Sequence, residues 1–351
     1  MTPAKFTTDV TFAERMRKEE EFFNRPVDQT FKLSYSGLNK LIYSPGLFYN
    51  HYVLGQREDV NEKYMIEGRL VHCLLLTPER FNDEFILNSY EMPSDNHKKV
   101  LDRLFTHYTC LTEDDVLFGK VTLEDFANPI LDILTDENLF QSLKTDAQRL
   151  EKIITPKNAM YWHFLKSSPG KTIIDQEQYD YANKMVAKIT SNSSILELMG
   201  FFADSMSNVT KWNEILAEAD VPGIRSFKLR GILDNLVIDH DKKEIRINDL
   251  KKTSKSLSTF EESIDHYNYW MQAAMYVKLA KVVSAYSSYP VIFRFIVIDP
   301  YMQLSTIRIS DETMAKWTEK LDQKLKEADY HFKTRNFDLP YSHIINGELV
   351  L

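Results

Sequence analysis

Apolar positions recur along this chain with two periods, and the period changes where the elements change. In "SYSGLNKLIYSPGLFYNHYV" (34–53), Leu38, Leu41 and Ile42 share a helical face, Ser36 is placed to cap it, and Ser44-Pro45 breaks it. "KYMIEGRLVHCLLLTPERF" (63–81) reads as an apolar helix ending before Pro78, and "DEFILN" (83–88) as a short strand. Residues 92–170 hold charged helical segments with few strand signals. In 172–199, Tyr179, Ala182, Met185, Val186 and Ile189 keep helical spacing from a start near Asp175.

Beyond residue 228 the period falls to two. Residues 229–238 and 245–251 predict an antiparallel hairpin around a loop at 239–244. A helix over 259–283 follows, then a buried strand at 290–299, a partner strand at 305–310 and a closing helix over 311–333. Strands mixed with helices in this order predict an α/β fold with a mixed central sheet flanked by helices. The expected organisation is a polar N-terminal arm (1–30) with one short helix and a core built from 31–91 and 171–345. Residues 92–170 form a helical insertion within that same domain.

The hairpin has one register that pairs apolar residues. Ile238 opposite Ile245 and Leu236 opposite Ile247 carry Asp234 to Asp249 and Ile232 to Lys251. Like charges side by side destabilise a ladder unless they share a proton or bind a cation. Two carboxylates on adjacent strands suit Mg²⁺, a hard cation that keeps several waters and needs few protein oxygens. Lys251 points to the same face as Asp249, where an ammonium can position a metal-bound water and hold charge on a phosphate. A lone D-x-K triplet is also an ordinary surface strand end, and it is the shared register that favours chemistry.

Composition narrows the classes. The chain has 351 residues, 43% hydrophobic and 12% aromatic, enough for a large core. Its net charge of −8 argues against coating a polyanion with the whole surface. Residues 226–255 run the other way, with eight basic side chains against five acidic ones. Lys228, Arg230, Lys251, Lys252 and Lys255 are expected to concentrate near the carboxylates. Cys73 and Cys110 are too few for a disulfide framework, a four-cysteine zinc site or an iron–sulfur cluster, and they suit a reducing cytoplasm. No apolar run reaches membrane-span length, and the N-terminus has no signal-peptide core.

Three further groups stand out. Gln272 and Tyr276 are four apart and share a helix face, opposite Phe260, Ile264, Tyr267, Met271 and Ala274. They read either as surface polars or as groups that hold a phosphate. His72, alone on the apolar helix "GRLVHCLLL", reads on these residues as a core histidine sooner than a ligand. Glu214, in "VTKWNEILAE", reads as an exposed carboxylate about one strand before the hairpin.

Taken in order, G-x-x-x-H (Gly68 to His72), an upstream glutamate, "LRGILD", "DLKKT" and Q-x-x-x-Y (Gln272 to Tyr276) resemble the PD-(D/E)XK nuclease superfamily. Within it the chain resembles the RecE-type 5′→3′ exonucleases and the wider RecB-like group, whose opening segment is similar to "LSYSGLNKLIYSPGLFY". The resemblance covers roughly 30–90 and 172–310. It implies that His72, Asp234, Asp249 and the Leu250 carbonyl are metal ligands, and that Lys251 is the catalytic lysine. Gln272 and Tyr276 would hold DNA or the site's geometry, and Glu214 would be the upstream acid. The implied cofactor is Mg²⁺, with Mn²⁺ able to substitute and no iron–sulfur cluster.

The chain departs from the pattern in places. The second acid is Asp249 where many relatives have Glu, and the arm before Asp234 is longer, with Gly231 expected to mark a bulge. Residues 92–170 have no counterpart. The resemblance further implies resection of double-stranded DNA ends, a ring-shaped trimer or tetramer, a single-strand annealing partner, no membrane, and phage or prophage origin with action in the host cytoplasm. A structure-specific endonuclease and a non-catalytic DNA-end-binding protein on a decayed nuclease fold are the alternatives.

Overall fold

The computed structural model describes residues 12–56, 63–88, 91–107, 121–166, 170–202, 208–286 and 288–347. Residues 1–11 of the expected arm, and Cys110, lie outside them. The chain divides into two compact units, Met1–Glu62 with Ala187–Leu351, and Lys63–Val186.

The first unit opens with α1 (Phe12–Phe23), β1 (Lys32–Leu33), α2 (Tyr35–Tyr43) and α3 (Pro45–Phe48). The second contains α4 (Lys63–Leu76), α5 (Phe81–Glu84), β2 (Phe85–Leu87), α6 (Asp95–His107), α7 (Ala127–Asp136), α8 (Asp146–Ile153), α9 (Pro156–Lys166) and β3 (Thr172–Ile174), and α10 (Gln176–Thr190) begins in it. The first unit then resumes with α11 (Ser193–Leu198), β4 (Val209–Val221), β5 (Ile224–Asp239) and β6 (Glu244–Lys252). It ends with α12 (Phe260–His266), α13 (Tyr269–Val283), β7 (Val291–Ile298), β8 (Leu304–Arg308), α14 (Asp311–Thr334) and α15 (Tyr341–Asn346).

The fold is α/β with a mixed six-stranded sheet. β5 pairs antiparallel with β4 and β6, β6 runs parallel to β7, and β8 closes the edge antiparallel to β7. β4 lies along one side of β5. On its other side β1 pairs at Lys228 and Leu229, and β6 pairs from Asn235 onward. The stretch of β5 edge between them ends at Asp234. The core of this unit packs Leu229, Leu233, Leu236, Ile247 and Phe295 with Met271, Ala274 and Leu279 of α13. α13 is apolar on nearly every side because it is buried on nearly every side. In the second unit Leu101, Leu104, Ile130, Leu134, Ile153 and Trp162 form a separate core. Its described residues between 92 and 170 are helices and turns.

Ser34, not Ser36, caps α2, because Ser34 has the extended backbone of a cap and its Oγ accepts the Gly37 N–H at 3.2 Å. The Ser-Pro break is real, and Ser44 caps α3 by accepting from Leu47. The long segment 172–199 splits into β3, α10 and α11. Asp175 accepts the Gln178 N–H at 2.7 Å at the start of α10, and Asn192 caps α11. The expected helix 259–283 is two helices, because Asn268 takes a left-handed conformation between them. Tyr267 therefore sits at the break, exposed, and not on a continuous core face.

Candidate active site

The hairpin register holds from Ile238 opposite Ile245 to Asn235 opposite Asn248. There the ladder stops, one pair short of Asp234 and Asp249. The side chain takes over from the backbone: the Asp234 carboxylate accepts the buried Leu250 N–H at 2.8 Å. β6 keeps its pairing with β7, so Asp249 and Lys251 remain on a rigid strand beside Phe295 and Val297.

β5 changes phase at the same point. Leu233 and Leu236 both lie in the α13-facing core, which a regular two-residue alternation forbids. Asn235 turns the other way and donates to the Met199 carbonyl at 3.0 Å. β4 makes a matching adjustment. Its pairs Asn213–Asn235 and Ile215–Leu233 flank Glu214, which stands opposite Asp234 with φ at 50°. A non-glycine residue held there is strained, and such strain clusters at functional sites. The result is that carboxylate oxygens of Glu214 and Asp234 lie within 4.8 Å of each other. The sequence alone did not reveal β4 as a strand.

Gly231 does not mark a bulge. It pairs regularly with Ala217, and the register shift in these strands lies at Ala219–Val221. Its hydrogen is needed for α13: a Cβ at 231 would meet Leu279 Cδ1 at 2.8 Å and Tyr276 Cε1 at 2.9 Å. This close approach seats Tyr276 beside the carboxylates. Gln272 Nε2 donates to the Tyr276 hydroxyl at 3.0 Å, and both side chains are buried. They are therefore not surface polars. Burial first, then Asp234 and Asp249, raise the Tyr276 phenol well above its ordinary value, so it stays protonated.

Lys251 contacts the buried Asp249 carboxylate directly. Burial pulls the ammonium down, but Asp249, Asp234 and Tyr269 outweigh it and leave Lys251 above its ordinary value. It is held as a cation. Glu214 and Asp234 add two carboxylates to the neighbourhood of that one pair. Crowded oxygen donors of this kind are costly in a low-dielectric site without a cation. The donor set is hard and carboxylate-rich, so it fits a divalent ion such as Mg²⁺. The Gln272 Oε1 atom, buried with no donor among the described residues, is a further acceptor at the site.

The first unit thus brings together Glu214, Asp234, Asp249, Leu250, Lys251, Gln272 and Tyr276. His72 belongs to the second unit, half-buried on α4. Two members of the expected basic cluster face acids of β4. Lys228 pairs with Asp220 at 3.1 Å, Arg230 lies 3.9 Å from Glu218, and Lys32 reaches Glu218 at 2.7 Å. The acids of β4, on the neighbouring strand, were invisible to a count confined to 226–255. Tyr35 and Tyr269 were missed, although both act on the charged groups here. A signal for Tyr269 was present, since 269, 272 and 276 share one helical face.

A sequence model of the PD-(D/E)XK nuclease superfamily matches residues 143–338, more than half of the chain. The chain belongs to this superfamily. Asp234 of β5, Asp249 and Lys251 of β6 and the mixed sheet all stand in the first described unit. No curated protein matches the sequence. One similar solved structure is a candidate exonuclease from Eubacterium rectale, 12% identical, with a TM-score of 0.45 over 98% of this chain and 95% of that one. A likeness that remote says nothing of activity. No described helix of this PD-(D/E)XK protein is long and apolar enough to cross a membrane.

Proposed function

We propose that this protein is a Mg²⁺-dependent exonuclease of the RecE type that resects linear duplex DNA. The observation that carries the reading is the rung of Glu214 and Asp234, in a strained strand beside the Asp249–Lys251 pair. On this reading Glu214, Asp234, Asp249, the Leu250 carbonyl and His72 hold the metal. His72 enters through the G-x-x-x-H resemblance. A divalent ion held there would lower the pKa of a bound water and offset charge on the attacked phosphate. Lys251, a fixed ammonium, donates to the attacking water and to the phosphate oxygens. Tyr276, un-ionised and supported by Gln272, keeps its O–H as a donor to substrate. Water adds to phosphorus and gives up a proton to solvent, the P–O bond to the leaving nucleotide breaks, and the leaving oxygen takes a proton from solvent.

The 31–91 and 171–345 core with 92–170 as its insertion belongs to this proposal. So do a ring-shaped trimer or tetramer, 5′→3′ polarity, a single-strand annealing partner and a phage or prophage origin with action in the host cytoplasm. The exposed charge pairs of β4 and β5 weaken the idea of a strongly basic lining from Lys228 and Arg230, so enclosure of the duplex would have to supply retention.

The test is digestion of one plasmid, linearised or covalently closed, with Mg²⁺ or with EDTA. The linear form is expected to disappear only with Mg²⁺, and the closed circle to survive. Efficient cutting of the closed circle moves the assignment to a structure-specific endonuclease. No cutting of either form, with DNA ends still bound, moves it to a non-catalytic end-binding protein.

A further inference from the structure

Tyr269 begins α13 immediately after the left-handed Asn268, whose φ is 57° and ψ 37°. Asn268 is tied down on both sides. Its Nδ2 donates to Asn39 Oδ1 at 2.8 Å, and its Oδ1 accepts from Trp270 Nε1 at 3.0 Å. The direction in which residue 269 leaves the break is thereby set. The Tyr269 ring is then fixed by three aromatic neighbours, with centroids 6.1 Å from Phe260, 5.4 Å from Tyr267 and 6.1 Å from Phe295. Tyr267 is itself held, because the Tyr35 hydroxyl donates to its carbonyl.

Over this ring stands the Lys251 ammonium, with Nζ 5.0 Å from the centroid. A lysine side chain has four rotatable bonds, and a carboxylate alone does not fix its head group. Here two direct contacts act on it at once, the Asp249 carboxylate and the electron-rich ring. An ammonium within about 6 Å of such a ring is drawn to its face, more strongly when shielded from water. A helix broken in the middle of an apolar stretch costs hydrogen bonds, and the break places this ring there.

We propose that Tyr269 is a positioning residue for Lys251, its ring face holding the ammonium where the attacked phosphate needs it. The inference rests on the nuclease reading above and adds a residue that acts only through the lysine. A ring that merely filled the core would contribute to stability alone.

The test uses the full chain with Mg²⁺ and linear duplex DNA. Tyr269→Leu is expected to lower kcat about tenfold with KM unchanged, the size of a shielded cation–ring contact. Tyr269→Phe keeps the ring and should recover most of that rate. In a Lys251→Ala background, Tyr269→Leu should cost nothing further, since two residues acting through one contact do not add. Additive losses would overturn the proposal. If Tyr269→Leu fails to fold, a series of progressively fluorinated phenylalanines at 269 keeps ring size and weakens its face. Rates falling along the series support the contact, and equal rates overturn it.

A readout without turnover is available in the metal-free protein. In ¹³C-lysine-labelled samples the Lys251 ε-methylene, assigned by its absence in Lys251→Arg, should show an upfield ring-current shift that diminishes in Tyr269→Leu. An unshifted signal in the parent overturns the proposal. A parent that cuts no DNA while showing that shift would remove the nuclease reading and leave the contact standing.

Discussion

The Asp234 carboxylate accepts the Leu250 N–H at 2.8 Å where the β5–β6 ladder ends. One side chain therefore does two jobs, as a candidate metal ligand and as the acceptor for a buried backbone donor. The two are separable. Asp234→Ala is expected to abolish cutting and to destabilise the protein by about 1–3 kcal/mol, the cost of leaving a buried N–H without a partner. Asp234→Asn keeps an acceptor oxygen, so it should lose activity and melt near the parent temperature. Thermal melts of both variants, beside a DNA digestion, check this. Simple relief of crowding between Asp234 and Asp249 would instead make the alanine variant the more stable.

Lys251 and Lys252 are neighbours on β6 with opposite faces. Lys251→Ala should cut about 10²–10³-fold more slowly, the loss typical of removing one donor to a developing oxyanion. Lys252→Ala should lose much less. Single-turnover rates at saturating Mg²⁺ decide it, and equal losses would contradict the assignment of Lys251.

Glu214 holds its carboxylate in place at φ 50°. Glycine adopts that conformation freely and alanine does not. Glu214→Gly should therefore be more stable than Glu214→Ala by about 1 kcal/mol. Both should need more Mg²⁺ than the parent. Urea unfolding measures the first difference, and an Mg²⁺ titration of activity the second.

At Gly231 even a methyl group is too much. Gly231→Ala pushes against Tyr276 and Leu279. An overpacking cost of about 1–3 kcal/mol is expected. Activity should fall as well, because Tyr276 is the atom group displaced. Adding Leu279→Val, which shortens the side chain by one carbon, should return part of the stability without fully returning the rate. A melt and a rate on the single and double variants test the pair.

His72 is a proposed metal ligand through the G-x-x-x-H resemblance. His72→Ala should raise the Mg²⁺ concentration needed for half-maximal cutting and leave the metal-free melting temperature nearly unchanged. A core histidine would give the reverse, with stability down by a few kcal/mol, as for other buried truncations, and the metal requirement unmoved.

What the sequence could determine here was whatever depends on near neighbours and on burial. The hairpin register followed because Leu236, Ile238, Ile245 and Ile247 must share one apolar face, and a shift of one residue would set one strand's pair on the opposite face from the other's. That same argument put Asp249 and Lys251 on one face, and helical spacing put Gln272 beside Tyr276. Tertiary contacts decided the rest. Whether the ladder ran on to Asp234 depended on a side chain capturing the Leu250 N–H. Whether Gly231 marked a bulge depended on Tyr276 and Leu279, more than forty residues away in sequence. Whether 259–283 was one helix depended on Asn39 and Trp270 holding Asn268 in a conformation that local propensity only permits. Glu214 reached Asp234 only because β4 lies along β5 and takes on a strained backbone there, an energy that no local pattern in the chain records.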